Sequence, residues 1–457
     1  MAESGSVAVI GGGISGLASA WRLQQLGVPV AVFEAEDRAG GLIGTVQERG
    51  FLFESGPQSF QGTEPLLALI RELGIENELC TASPRAPRFV LRSGRLRKIP
   101  MSPQAVLTTS LLGAGARWRV ASEAFRRTRP SGEEESVANF VRRKFGHEIL
   151  EYLVAPFVSG VYAGDPEKLS LRAAFPSLDE WEREHGSVLR GAMKSRPAKG
   201  KGPPPLCSFR SGMNTLARAM AARLSGDIET GARARALSCV PSGGGQYEIR
   251  VEREGRMETF AAEAVVMAAP AYVASNLVQT VSPPLARMLS GISYAGVAVV
   301  AAGYHARQMG FALDGFGVLI PRSEKFRTLG TVWNSSLFPG RAPEGAFTIT
   351  SFIGGATDPE VMDQPEEEIA SIVQRDNARI LEISGPPAAS AIWKHPKALP
   401  QYNLGHGHIV RALGEAQFNH PGIFFSGNYL EGPSIGKCVE HGFSTAEAVR
   451  DFLRKPQ

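Results

Sequence analysis

The feature that most constrains this chain lies at its start, where the apolar run Val7 to Ile10 enters Gly11-Gly12-Gly13-Ile14-Ser15-Gly16. Leu17 to Leu26 then reads as a helix stopped by Gly27, and a second apolar run, Val28 to Phe33, ends in Glu34. Strand, glycine turn, helix, strand and acid in that order make one βαβ unit. The acid falls roughly 20 residues beyond the glycines, as a dinucleotide site requires. Gly11 permits the tight turn, Gly13 lets the backbone approach a pyrophosphate, and Gly16 lets the helix pack close to the strand. With Gly12, Ile14 and Ser15 they leave free N–H groups at the positive end of a helix, which favours an anion. The Glu34 carboxylate can accept hydrogen bonds from both hydroxyls of an adenosine ribose, and it disfavours a 2′-phosphate.

The rest of the composition excludes more than it selects. With 457 residues and 43% hydrophobic side chains, two or three domains with a sizeable core are expected. Forty-nine Lys and Arg against 45 Asp and Glu give a formal charge of +4, too weak a bias to point to nucleic acid. Cys80, Cys207, Cys239 and Cys438 show no CxxC spacing, so neither a zinc site nor a disulfide framework is expected. The first residues enter a strand without a leader pattern, so no export is expected. No window approaches the ~18 uninterrupted apolar residues of a membrane span, and Ala295 to Tyr304 suits a buried strand better.

Along the chain, residues 95–205 are Arg-rich and helix-like. Pro103 to Arg129 has an imperfect amphipathic pattern, and Lys194 to Pro205 reads as a basic, breaker-rich linker. Strands are predicted at Tyr247 to Val251, Ala264 to Ala268, Ala295 to Gly303, Gly317 to Ile320, Ala346 to Ile353 and Ile423 to Phe425. Glu366 to Ile383 and Ser434 to Leu453 have helical spacing.

Glu34-Ala35-Glu36-Asp37-Arg38-Ala39-Gly40-Gly41 and the later Gly50 to Pro57 resemble the extended motif of flavin amine oxidases. There an Arg before a Gly-Gly pair borders the FAD pyrophosphate, so the resemblance implies FAD rather than NAD. Further blocks are Gly56 to Phe60, Ala86 to Leu91, Ser159 to Pro166, Leu169 to Leu171, Phe316 to Pro321, Pro400 to His406 and Gly427 to Tyr429 running into Gly436 to Glu440. Across essentially the whole chain they resemble the oxygen-dependent protoporphyrinogen oxidases of the flavin amine oxidase-like superfamily, closest to the chloroplast-like branch.

That resemblance implies an α/β fold: a Rossmann-like FAD domain of the glutathione-reductase/amine-oxidase type, a mixed-sheet substrate domain and a helical membrane-associated insertion. Residues 1–85, 206–269 and 391–457 are expected to form the FAD domain, 86–98 and 270–390 the substrate domain, and 99–205 the insertion. The implied reaction takes protoporphyrinogen IX to protoporphyrin IX in haem or other tetrapyrrole synthesis, with O2 reduced to H2O2. Flavin N5 accepts the hydride, and no catalytic side chain is assigned. Coproporphyrinogen III oxidation to coproporphyrin III is the nearest rival, and a catalytically idle flavin-binding membrane protein is the rival from another class.

By matching blocks, Arg88 is expected on a substrate propionate, with Gly160, Phe316, Leu319 and Phe352 lining the macrocycle pocket. Gly56, Pro57, Gln58, Ser59, Ala234, Gly427, Pro433, Ser434 and Ile435 join the cofactor residues. His395 stands where the family commonly has Trp, with Trp393 two residues earlier, and neither receives a role. The implied partners are a porphyrinogen, O2, one membrane leaflet, a second copy of the chain and a ferrochelatase as the next pathway enzyme. The implied location is cytoplasmic, on the inner face of the cell membrane.

Overall fold

The computed structural model describes residues 6–126, 132–195, 204–224, 228–240 and 247–454. Its first sheet is parallel, in the order Ile228–Glu229, Val30–Phe33, Val7–Ile10, Ala264–Met267 and Ile423–Phe425. Val7–Ile10 is apolar at every position because layers cover both its faces. One layer holds the helices Ile14–Gln25 and Ile435–Leu453, which approach so closely that a Cβ on Gly442 would lie 2.8 Å from Ala18 Cβ. The other holds the antiparallel strands Ala232–Cys239, Tyr247–Arg253 and Arg256–Ala262 with helix Ala271–Val278.

The second sheet has seven strands, ordered Ala389–Pro400, Tyr294–His305, Ala346–Gly354, Thr328–Val332, Gly317–Leu319, Arg88–Arg92 and Arg95–Lys98. It is mixed, since Gly317–Leu319 runs parallel to Arg88–Arg92 and the other neighbours are antiparallel. Helix Glu366–Leu381 packs Ile369, Ile372 and Val373 on Ala298, Val300 and Ile353 of one face. The other face packs Ala301 and Ala389 against Phe51 and Phe53 of the strand Phe51–Glu54.

One boundary differs from expectation. Ala389–Pro400 hydrogen-bonds along Tyr294–His305, so the chain leaves the second sheet at Pro400 rather than at 390. Pro396 hides this strand from a pattern search. It is accommodated because the strand lies at the sheet edge and the register shifts between Ala295 and Val297.

Between Lys98 and Leu206 the chain forms helices Pro103–Thr108, Ala114–Glu123, Val137–Lys144, Ala155–Tyr162, Leu171–Ala174, Pro176–His185 and Val188–Lys194. Ser102, Ser136, Ser170 and Ser187 each accept the amide three residues on, which starts four of these helices. The Pro103 to Arg129 stretch is therefore two helices, with Leu111 and Leu112 buried between them, and residues 127–131 lie outside the described set. Residues 196–203 of the expected linker also lie outside it. Lys144 is buried between Glu123 and Glu182, at 3.3 and 2.8 Å, which ties the second of these helices to later ones. Among the described residues no helix is long and apolar enough to cross a membrane.

Candidate cofactor and substrate site

Of the expected cofactor residues, Gly11 to Gly16, Glu34, Gly40 and Gly41 meet at the C-terminal ends of Val7–Ile10 and Val30–Phe33. Gly11 has φ +109°, and a Cβ there would lie 2.9 Å from the backbone at Ala268 and Ala269. A Cβ on Gly16 would lie 1.9 Å from Gly11 O, so the helix touches the turn itself. Gly13 is the contrast: a Cβ there meets nothing within 4 Å. The space before Gly13, Ile14 and Ser15 faces the first-turn amides of a helix, the donor set a pyrophosphate needs.

Glu34 closes one side of the turn. It is buried, accepting from Gly12 N at 2.6 Å and Glu36 N at 2.9 Å. A carboxylate has about four lone-pair sites, so capacity for ribose hydroxyls remains. Ala232 N donates to Glu34 O at 2.8 Å, which brings the strand carrying Ala234 beside Glu34 and Ala35. Arg38 acts on its own loop, donating to Ile43 O at 2.8 Å and Gly41 O at 3.0 Å. Thus braced, Gly40 N donates to Gly12 O at 2.8 Å, and a Cβ on Gly41 would lie 3.3 Å from Gly13 Cα.

The loop continues where Ser55 N donates to Gly44 O at 2.8 Å, carrying Gly56, Pro57 and Ser59 behind it. Gly427 begins a short helix after the last parallel strand, followed by Pro433 and by Ser434, which caps the helix that Ile435 opens. Gln58 differs from these neighbours. It is buried, and its side-chain amide is occupied by Gly56, Glu54, Asn334 and Thr350.

The register of the second sheet builds one largely apolar row across its strands. Val90, Leu319, Gly330, Phe352, Val299 and Trp393 are successive cross-strand partners, so they form one row on one face. Leu319, Phe352 and Trp393 remain half-exposed, while Val90 and Val299 of the same row are buried, as are Val318, Ser351 and Ile353 of the opposite face. Gly330 has no room for a side chain, since its Cβ would lie 2.7 Å from Val318 O. Helix Ala155–Tyr162 packs over this face, and a Cβ on Gly160 would lie 2.6 Å from Leu319 Cδ2. Phe157 and Val161 share its helical stripe and are exposed.

Arg88 stands two residues before Val90, at the end of this face, with its guanidinium 5.1 Å from the centre of the half-exposed Phe316 ring. It is exposed and has no carboxylate partner among the described residues. Arg92, on the same face, is already committed: Glu148 lies 2.6 Å away and Tyr152 sits under its guanidinium.

The distant blocks singled out in the sequence interlock beside this row. Gln401 Nε2 donates to Tyr162 O at 2.9 Å, Ser170 N to Tyr402 O at 2.8 Å, and Leu404 N to Lys168 O at 2.9 Å. Tyr402 also donates to Asn428 O, joining the insertion to the cofactor domain. Burial holds the His406 imidazole below its ordinary pKa, against opposing effects of the Tyr429 backbone and Glu134. Burial likewise pushes the Glu54 carboxyl up, with Arg341, Thr45 and Met213 opposing.

Sequence reasoning did not assign Val299, Gly330, Trp393, Phe157 or Val161 to the site. A glycine inside a strand was the available signal for Gly330. His395 Nε2 lies 2.8 Å from Ser55 O, at the seam between edge strand and cofactor loop.

A family model for flavin containing amine oxidoreductases matches residues 14–450. Protoporphyrinogen oxidase 1, chloroplastic, of Spinacia oleracea is 36% identical over 473 residues, covering 97% of this chain and 84% of its own. Coproporphyrinogen III oxidase of Bacillus subtilis is 29% identical over 471 residues, covering 98% of each. A crystal structure from Exiguobacterium sp. 255-15 superposes with TM-score 0.83 at 22% identity over 100% of both chains, a likeness of fold.

Proposed function

The chain belongs to the flavin containing amine oxidoreductases, and within them to the protoporphyrinogen oxidases, and on that premise we propose that it oxidises protoporphyrinogen IX to protoporphyrin IX, using FAD and O2 and releasing H2O2. The observation that carries the substrate is the half-exposed set Leu319, Phe352 and Trp393 on one face of the sheet, with Arg88 at its end. A porphyrinogen is a broad apolar ring with acidic arms. A wall of apolar side chains spanning several strands supplies the ring's surface, and an uncommitted guanidinium supplies a carboxylate partner.

FAD, when bound, supplies the two-electron oxidation. The chain's own residues orient and enclose the reactants. Gly11 to Gly16, Glu34 and the loop braced by Arg38 hold the dinucleotide, while Arg88 orients the ring by a propionate and the helix at Gly160, seated on Leu319, closes one side of the wall. Keeping the ring against the wall excludes water and restricts approach, which is what a reaction dominated by placement requires.

The leaflet-binding surface belongs to the same reading. Trp118 and Phe125 are 70% and 88% exposed beside Arg119 and Arg126, also exposed, and Met101 and Met193 are exposed elsewhere on the insertion. Aromatic side chains flanked by cations suit the interface of an anionic leaflet. We propose that the chain works on the inner face of the cell membrane, where it would receive a sparingly soluble substrate.

Competition between protoporphyrinogen IX and coproporphyrinogen III in one anaerobic-to-aerobic turnover assay tests the substrate. The account expects protoporphyrin to form with the higher kcat/KM. Preference for coproporphyrinogen would move the chain to the reaction named for its Bacillus subtilis relative.

A further inference from the structure

Gln58 lies between the loop carrying Gly56 and Pro57 and the substrate sheet, and its side chain is buried and bonded within the protein. Nε2 donates to Gly56 O at 2.7 Å and Glu54 O at 3.3 Å. Oε1 accepts from Asn334 Nδ2 at 2.6 Å and lies 3.0 Å from Thr350 Oγ1, whose one hydrogen is shared between it and Asn334 Oδ1 at 2.9 Å. Two donors and two acceptor sites are the whole capacity of a primary amide. Both donors are spent on the Gln58 loop itself, and Oε1 is enclosed by Asn334 and Thr350.

The bonds behind it close a ring. Ser208 Oγ lies 3.4 Å from Gln58 O and accepts from Arg341 Nη2 at 2.6 Å. Arg341 Nη1 lies 3.3 Å from Glu54 Oε1, with both side chains only 1% exposed. Glu54 then returns to Gln58 through its backbone oxygen. Met213 N and Thr45 Oγ1 satisfy the rest of the Glu54 carboxylate. A buried ion pair with hydrogen-bonded neighbours resists displacement, because breaking one member leaves an uncompensated charge.

The two sides of this ring belong to different parts of the fold. Thr350 is two residues before Phe352, so it lies on the wall face of the same strand. Asn334 follows the strand that carries Gly330. Gln58 is on the cofactor loop, whose start is tied to the edge strand by His395 and Ser55 O at 2.8 Å. We propose that Gln58 is a positioning residue, pinning the cofactor loop to the substrate sheet through Thr350 and Asn334 and thereby fixing the separation of flavin and porphyrinogen while touching neither. The inference deepens the oxidase reading and rests on it.

The test compares Gln58→Met, Thr350→Val and Thr350→Ser as FAD-loaded proteins with detergent-delivered protoporphyrinogen IX. Gln58→Met keeps length without polar atoms, Thr350→Val removes the hydroxyl at the far end, and Thr350→Ser restores it. A misplacement of the order of 1 Å lowers kcat about tenfold to a hundredfold, so Gln58→Met and Thr350→Val are expected in that range. Their KM and FAD stoichiometry should stay at wild-type values, their resting flavin absorption band should change shape, and Thr350→Ser should behave as wild type.

A raised KM at unchanged kcat in Gln58→Met would overturn the proposal in favour of direct substrate contact. Loss of FAD would overturn it in favour of cofactor contact, and an unchanged band with unchanged kinetics would leave the ring without a positioning role. Should Gln58→Met not fold, the Thr350 pair decides alone. The flavin band needs no substrate, so wild-type protein that oxidises no porphyrinogen would sink the oxidase reading separately.

Discussion

Gly13→Val and Gly16→Ala should damage the chain in opposite ways. At Gly13 the backbone has φ −68° and ψ 176°, an extended conformation open to any residue, and a Cβ meets no atom within 4 Å. The protein should therefore fold with a β-branched residue there, but the isopropyl group would stand where the pyrophosphate must approach. Hydrogen bonds to a charged group contribute about 1.5–3 kcal/mol each, so excluding two loses about 3–6 kcal/mol. That is roughly a hundredfold to ten-thousandfold in FAD affinity.

Gly16→Ala puts a methyl 1.9 Å from Gly11 O, and a backbone carbonyl cannot swing aside as a side-chain tip can. The helix must move off the strand, a strain of about 1–3 kcal/mol or more. The assay is flavin released on denaturation, per mole of protein, together with thermal unfolding of the apo forms by circular dichroism. Gly13→Val should lose flavin at an apo Tm near wild type, and Gly16→Ala should lower the Tm. Stoichiometric FAD in Gly13→Val would refute the cradle, and a wild-type Tm in Gly16→Ala would refute the close contact.

Arg88→Ala should raise KM about tenfold to a hundredfold through loss of a bidentate carboxylate pair, with FAD content unchanged, and Arg88→Lys should recover part of it. Unchanged steady-state kinetics on both porphyrinogens would return Arg88 to a solvated charge and make Arg95 the next candidate. The protein should float with anionic liposomes at low salt, and Trp118→Ser with Phe125→Ser should weaken that binding; a wild-type protein that stays unbound would overturn the leaflet assignment. His406 has its folded pKa held below the unfolded value, so the unfolded chain binds the proton more readily and stability is lost as pH falls below about 6.5. His441 is lowered in the same direction by burial. The Tm of His406→Gln should therefore fall less between about pH 7 and pH 5 than that of wild type, and identical slopes would contradict the sign.

The turn from Gly11 to Gly16 was legible because Gly11, Gly12 and Gly16 each answer a local demand, made by Ala268, Glu34 or the turn itself, while Gly13 leaves open the space a pyrophosphate needs. Tyr294–His305 was legible for a similar reason, since an unbroken apolar run suits a strand covered on both sides. Ala389–Pro400 was not, because Pro396 breaks its pattern and its partners lie on a strand far earlier in the chain. The wall shows the same limit: no spacing in sequence places Gly330 between Leu319 and Phe352, since register across strands is a tertiary property. Phe157 and Val161 gave no local signal of their own; their place follows only from Gly160 facing Leu319. Gln58 lay inside a recognisable block, but its partners Asn334 and Thr350 come from the other sheet, so its attachment to the protein could not be read locally.

The central claim is that an FAD-loaded chain transfers electrons from protoporphyrinogen IX to oxygen. The most direct measurement follows protoporphyrin fluorescence, oxygen uptake and peroxide together in one sealed reaction of purified, FAD-loaded protein, corrected for spontaneous oxidation. Protoporphyrin formation that depends on the protein, with three O2 consumed and three H2O2 released per porphyrin, is expected from six electrons leaving in pairs. Protein that retains FAD yet gives porphyrin no faster than buffer, or gives it without matching peroxide, would contradict the account.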